Sequence, residues 1–260
     1  MTLKFVTLNV WIGGVLLENI IEFLRQEDAD VVVLQEVLES TDPTLPHQYR
    51  TIESLQKHLD YPYTDFAPIV LDNFPWGKIL NGNAVLSRWP ITERDVRYFC
   101  GELDMEHPRM PFDPASWAVT ARNLQHVAIH SPGGDLNVYN FQGVWDLDGD
   151  NASPERQNMV EAILDATSGK QHVIVAGDTN AKHTNPAMRR LETPFTNVLG
   201  DSITTSFNMR RKENPGYATA VVDMIYVSND FHILEGRCPD VDISDHLPLV
   251  ATLEMIENKE

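Results

Sequence analysis

Four short segments that carry acidic or amide side chains beside apolar runs constrain this chain more than any other feature. They are Leu34-Gln35-Glu36-Val37, Gly177-Asp178-Thr179-Asn180, Val222-Asp223-Met224-Ile225-Tyr226 and Ser244-Asp245-His246-Leu247-Pro248. Runs such as Val31-Val32-Val33-Leu34 and Val173-Ile174-Val175-Ala176 are β-branched and apolar, the signature of buried strands. A buried strand that ends in a carboxylate delivers it to the rim of a sheet, where polar groups from several strands converge. Converging carboxylates repel unless a cation lies among them, and oxygen donors suit a hard divalent ion such as Mg²⁺. His246 adds a group for proton transfer or phosphate contact. The set implies metal-dependent hydrolysis.

Composition narrows the class further. At 260 residues the chain suits one large domain spanning 1–260, and 42% hydrophobic with 22% charged residues is ordinary for a globular protein. No run approaches the ~20 apolar residues that span a bilayer, and the start lacks a signal-peptide pattern, so a cytoplasmic protein is expected. Two cysteines, Cys100 and Cys238, imply no disulfide framework and leave a single bridge open. The net charge of −18 disfavours tight binding to long duplex nucleic acid, which depends on basic groups placed against phosphates. Arg210-Arg211-Lys212 is the one clear basic run; its ordinary reading is a solvated loop, its alternative a locally basic groove.

Without repeats or low-complexity linkers, the pattern is of mixed elements. Helix-like spacing covers residues 16–26 and 47–59, and Ser153-Pro154 supplies an N-cap and first-turn proline for a third helix. Strands are expected at 5–10, from 31, and at 83–86, 118–129, 136–141, 173–176, 221–227 and 247–253. The turn signal Ser131-Pro132-Gly133-Gly134-Asp135 separates two of them. Such hairpin-like pairs fit poorly with a purely parallel doubly wound sheet. Two mostly antiparallel sheets packed face to face, with helices outside, fit better.

The four segments, with Leu8-Asn9-Val10-Trp11 and Gly82-Asn83-Ala84-Val85-Leu86-Ser87-Arg88-Trp89-Pro90-Ile91, occur in the order of the endonuclease/exonuclease/phosphatase family of DNase-I-like, Mg²⁺-dependent phosphoesterases. The resemblance runs from about residue 4 to residue 254. Any one of the motifs is weak; their shared order is the signal. It implies the four-layer α/β sandwich, with the active site at one end of the sheets.

The same resemblance assigns roles. Glu36, alone an ordinary surface acid after a strand, becomes the principal Mg²⁺ (or Mn²⁺) ligand, with Asn9 beside the metal and Asp245 a further ligand, direct or through water. Asp178 would activate the attacking water and Asn180 would hold the phosphate or leaving-group side, where a bare Asp-initiated turn is the ordinary reading. Asp223 would orient His246, favouring the imidazolium that stabilises charge on phosphorus. Asn83 and Arg156 are weaker candidates for substrate contact: the first could serve strand packing, the second an ion pair. Trp76, Trp117 and Trp145 are core or platform residues.

One position departs from the family pattern. Gln142 stands where a histidine is usual, keeping a phosphate-directed donor but losing a titratable proton. Tyr139 should face the opposite side of that strand and so cannot replace it. The expected protein is a monomeric phosphodiesterase or nuclease-like hydrolase acting on a nucleic-acid end or small phosphodiester. Its rivals are a phosphomonoesterase or sphingomyelinase-type lipid phosphodiesterase, and a catalytically impaired binding module of the same fold. The module would have no use for so many mutually repelling acids.

Overall fold

Strand β1 (Thr2–Asn9) buries both of its faces, which obliges the chain to build layers on either side of it. Leu3 and Phe5 pack in the core between two sheets, while Val6 and Leu8 pack under helix α1 (Leu17–Glu27). The computed structural model describes residues 1–108, 120–146 and 150–256. Trp117, and the first two residues of the strand expected at 118–129, lie outside them.

The first sheet runs β12-β13-β1-β2-β4-β3-β6 and the second β10-β11-β9-β8-β7-β5. In chain order the remaining strands are β2 (Val31–Glu39), β3 (Tyr63–Phe74), β4 (Gly77–Ser87), β5 (Ile91–Cys100), β6 (Asp104–Pro108), β7 (Arg122–Ser131), β8 (Gly134–Gln142), β9 (Val173–Asp178), β10 (Phe195–Asn197), β11 (Asp223–Ser228), β12 (Phe231–Arg237) and β13 (Leu249–Met255). Pairing is antiparallel except at β1–β2, β3–β6 and β8–β9. Helices α1 and α2 (Thr51–His58) cover the outside of the first sheet, and α3 (Pro154–Thr167) covers the second. This is the four-layer α/β sandwich expected from the sequence.

The inward-facing row of each central strand changes character along its length. On β8, Leu136 and Val138 lie in the inter-sheet core, then come Asn140 and Gln142; on β9, Ile174 and Ala176 precede Asp178. The middle of this gradient is a buried amide layer. Gln35 Nε2 donates to Asn140 Oδ1 at 2.7 Å, and the two N–H groups of Asn140 Nδ2 are shared among three acceptors, each at 3.0 Å: the Leu34 and Ala84 carbonyls across the sandwich and Gln125 Oε1 on the neighbouring strand. Gln125 in turn donates to Asp65 at 2.7 Å. These bonds tie β8 to β2 and β4 across the sandwich, where unmatched amides would be costly.

Some elements differ from expectation for local reasons. The helix expected over 47–59 is broken into a single turn at His47–Tyr49 and α2, because Arg50 adopts φ −141° and the Thr51 hydroxyl bonds the carbonyls of Gly13 and Leu38. Strand β5 escaped pattern reading because it is an edge strand exposed through residues 92–97, so its faces do not alternate in polarity. In β3, Pro68 sits at a register shift, and proline weakens a strand signal. Both cysteines are free.

Candidate active site

Glu36 is placed by a β-bulge. The β2–β4 register shifts between Leu34 and Val37, and Glu36 adopts the left-handed region at φ 59°, which turns its carboxylate off the strand toward the sandwich end. Its Oε1 accepts from Asn9 Nδ2 at 3.0 Å and from Gln142 Nε2 at 2.9 Å, and its Oε2 accepts from the backbone N–H of Ile12 at 3.0 Å. The segment Trp11-Ile12-Gly13-Gly14 that supplies this N–H is itself left-handed throughout, with φ between 49° and 92°. Gly13 is required there: a Cβ would lie 2.1 Å from the carbonyl oxygen of Gln48.

Asn9 ends β1 beside Gln35. Its amide oxygen accepts the N–H of Trp11 at 3.0 Å, so its NH₂ faces the carboxylates, donating to Glu36 and, at 3.1 Å, to Asp178 Oδ2. It therefore acts as a clamp between two acids, with its oxygen already engaged.

On the second sheet, register brings Gln142, Asp178 and Asp223 abreast on adjacent strands. Gly177 precedes Asp178 because β8 passes so close that a Cβ would meet the Phe141 oxygen at 2.0 Å. After Asp178 the chain turns: Thr179 is pinned through its hydroxyl to the carbonyls of Ala181 and Val222, and Asn180 takes φ 50°. Asn180 N–H bonds back to Asp178 Oδ1 at 2.9 Å, and Asn180 Nδ2 donates to the Gly143 carbonyl at 3.2 Å. Asp178 and Asn180 thus reach the same cleft through a left-handed turn rather than through extended alternation.

Arg156 does not contact the cleft floor. It is 1% exposed and donates to the carbonyls of Asn151 and Asn180, both at 2.6 Å, with Asp146 at 3.8 Å. Of the two readings the sequence allowed, substrate contact or a structural pairing, the geometry favours the structural one: the guanidinium holds the Asn180 turn from behind, although the residue also lines a cavity beyond that turn. Asn83 is likewise fully buried, donating to Asn123 at 3.0 Å between the sheets, and does not line the cleft. Its place in the amide-rich interior accounts for its type.

His246 Nδ1 lies 2.9 Å from Asp223 Oδ2, and both are almost wholly buried. Ser244 explains the Ser-Asp-His order: its hydroxyl donates to the Asn9 carbonyl at 2.7 Å and receives the His246 N–H at 3.3 Å, tying this loop to β1. Burial opposes a charged imidazole, but the carboxylates of Asp223 and Asp178 outweigh it and raise the His246 pKa to about 10. Burial raises the Asp178 pKa to about 6, against the pull of the His246 charge. At neutral pH the arrangement is an imidazolium between two carboxylates.

Glu36, Gln142, Asp178, Asn180 and His246 line a cavity of about 210 Å³ together with Trp11, Ile12, Trp145, Phe207, Lys212, Tyr217 and Asp245, with Asp223 behind His246. A second cavity of about 280 Å³ shares Trp145, Asn180, Phe207 and Tyr217 with it and continues past them. Asp245 Oδ2 is 2.5 Å from Lys212 Nζ. The basic run divides: Arg210 is paired to Asp240 and Arg211 to Asp242 on the surface, as a solvated loop would be, while Lys212 turns into the cleft. Trp145 is a cleft wall, whereas Trp76 is half-exposed and stacks on Phe74 at 5.1 Å. For Lys212 the alternative reading of the run, a basic groove, is the one in keeping with the structure, and Trp11 belongs to the first motif; the aromatic walls Phe207 and Tyr217 were not foreseen.

A profile of the endonuclease/exonuclease/phosphatase family matches residues 6–246. The chain belongs to that family. No curated protein sequence matches it. Its fold is similar to that of a family member from Beutenbergia cavernae (TM-score 0.76, 21% identity, 98% of this chain and 72% of that one). It is also similar to a mannosyl-6-phosphatase from Bacteroides thetaiotaomicron (TM-score 0.69, 16% identity, 97% and 100%). A third likeness is D. rerio TDP2, solved with a single-strand DNA product (TM-score 0.69, 17% identity, 98% and 99%).

Endonuclease/exonuclease/phosphatase proteins are generally divalent-metal dependent, and the residues here fit such an ion. Asp178, Asp223 and His246 each bring one potential ligand atom within 4.8 Å of the others. Asp223 Oδ1 is buried without a hydrogen-bond partner. At the cleft, Glu36, Asp178, Asp223 and Asp245 outnumber the cationic His246 and Lys212. Because His246 Nδ1 is bonded to Asp223 and the ring is held protonated, one of that trio's two carboxylate charges is already balanced. Glu36 is the more exposed carboxylate of the floor and the better oxygen donor for a hard cation.

Proposed function

We propose that the chain is a Mg²⁺- or Mn²⁺-dependent phosphoester hydrolase that promotes in-line attack of water on phosphorus. The carrying observation is the row formed by Asp178, Asp223 and His246, set across the cleft from Glu36. Held at Glu36, the metal would withdraw charge from the non-bridging oxygens and the departing alkoxide.

The chain's own groups supply the rest. Asp178, steadied by Asn9 and the Asn180 N–H, accepts a proton from water once ionised. His246, kept protonated by Asp223, donates to a phosphoryl oxygen as negative charge grows there. Asn180 stands at the junction of the two cavities, beside the leaving-group side. Gln142 spends one N–H on Glu36, so its main service is to hold the metal-binding carboxylate, with its second N–H left for substrate.

A small phosphoester or the end of a single strand suits this cleft better than long duplex. Arg210 and Arg211, which would have to flank a duplex, are tied to Asp240 and Asp242. The neighbours titled a mannosyl-6-phosphatase and a single-strand DNA complex are in keeping with either form. No helix of the described residues is long and apolar enough to cross a membrane, and we take the working form as a cytoplasmic monomer.

Turnover of bis-(p-nitrophenyl) phosphate and p-nitrophenyl phosphate, with Mg²⁺ or Mn²⁺ and again with EDTA, tests the reading. Hydrolysis that EDTA abolishes and metal restores is expected. A panel extended to sugar phosphates and oligonucleotide ends, with no turnover of any member at saturating metal, would refute it in favour of a binding module.

A further inference from the structure

Lys212 is held by more contacts than a surface lysine needs. Its Nζ lies 2.5 Å from Asp245 Oδ2 and 5.3 Å from the ring centroids of both Phe207 and Tyr217. Its side chain is 22% exposed. The turn that presents it is closed by the N–H groups of Arg211 and Lys212, both on the Asn208 carbonyl. Its two predecessors are drawn outward by Asp240 and Asp242, which leaves Lys212 to point inward. Phe207 bridges to the backbone of His246, so one wall of this cage belongs to the catalytic loop. A carboxylate and two aromatic faces converge on one point, the environment that selects an ammonium ion.

We propose that Lys212 is a resident cation of the active site: it occupies the Asp245 side permanently, so the centre takes one divalent ion and not two. This rests on the hydrolase reading for the first ion, held at Glu36, but adds the identity of the second positive charge. A divalent ion on Asp245 would share a single carboxylate with an ammonium group, and like charges at that separation exclude one another. With the ammonium in place, the phosphate meets one cation on the Glu36 side and another on the Asp245 side. The lysine stem also explains the aromatic pair, which shields the amine from water while leaving its head toward the cleft. Asp245 then serves as the anchor of the lysine, which revises its expected role as a metal ligand.

Calorimetric titration with Mn²⁺ of the wild type, Lys212→Met and Lys212→Arg, each checked for folding by circular dichroism, tests the proposal. Methionine keeps the stem and removes the charge; arginine keeps the charge. One ion per chain is expected for wild type and Lys212→Arg. Lys212→Met should bind a second ion, or bind the first at least about tenfold more tightly, because a competing charge is gone. Equal stoichiometry and affinity in wild type and Lys212→Met overturns the lysine assignment while leaving a one-metal hydrolase standing, and so does a wild type that binds two ions. A wild type that binds none, with Lys212→Met binding one, upholds the resident cation and refutes metal-dependent hydrolysis. Binding by neither refutes both. If Lys212→Met does not fold, Lys212→Gln takes its place, judged by the same counts.

Discussion

Replacing Arg156 with methionine separates a positioning role from a substrate contact more sharply than any other single change. The guanidinium is 1% exposed and donates two bonds of 2.6 Å, to the carbonyls of Asn151 and Asn180, with Asp146 alongside. A hydrogen bond to a charged donor contributes about 1.5–3 kcal/mol, so two of them come to about 3–6 kcal/mol. Removing a desolvated cation returns part of this, and breaking a buried ion pair costs about 3–5 kcal/mol overall. For a chain of this size each kcal/mol moves the melting temperature by about 2–4 °C. The expected fall is therefore about 6–20 °C by scanning calorimetry. Because Asn180 loses the group that fixes its carbonyl, kcat should fall while KM for a small diester changes little. Arg156→Lys, able to satisfy one carbonyl, should lie between. A melting point within about 2 °C of wild type, together with a several-fold rise in KM, would refute the positioning argument and return Arg156 to the substrate.

Other substitutions probe the two halves of the cleft. Glu36→Gln should weaken Mn²⁺ binding by more than about tenfold with the fold preserved, since it replaces the most exposed carboxylate of the floor with a neutral amide; unchanged calorimetric affinity would remove Glu36 from the metal site. Gln142→Ala deletes a 2.9 Å bond to Glu36 and should lower metal affinity by about tenfold, equivalent to ~1.4 kcal/mol, rather than chiefly raising KM. Asp223→Asn should bring the His246 pKa down from about 10 toward its ordinary 6.5, read from the imidazole proton shifts by NMR. The sign follows from linkage: stability from the charged ring is full below about 6.5 and is lost as pH rises through about 10, so the variant should lose the upper part of that window first. Burial of Asp178 predicts an acidic limb of kcat/KM near pH 6, where the base becomes protonated; a rate flat from pH 7 to pH 5 would exclude it as the base.

The acids were legible because they adjoin unmistakable buried runs: Asp178 closes the run from Val173 to Gly177, and Asp223 opens the run from Met224 to Val227. Their convergence was legible only through the family order of motifs, since register across a sheet depends on partners far apart in the chain. Arg156 and Asn83 each allowed two readings for one reason: polar residues near a site motif look alike in sequence whether they face substrate or satisfy a neighbouring backbone carbonyl or amide. The bulge that turns Glu36 outward left no trace in residue type, because a left-handed glutamate is imposed by its surroundings and not by its own preference. Lys212 was hidden by company, its two arginine neighbours being what they seemed. The edge strand β5 and the short β10 lack the apolar alternation that any reading by period requires.

The amide layer of Gln35, Asn140 and Gln125 has a consequence for how the two halves of the sandwich find each other. Apolar faces made of valine and isoleucine would pack almost equally well after sliding past one another by a residue pair. Asn140 allows one alignment only, since its NH₂ must meet the Leu34 and Ala84 carbonyls together with Gln125. The layer therefore works as an index mark that sets the halves in step. One residue pair further along those rows, the same step brings Glu36 of one half opposite Gln142 and Asp178 of the other. A chain given valine at Asn140 could still collapse, yet the acids of its cleft would lose their common zero point.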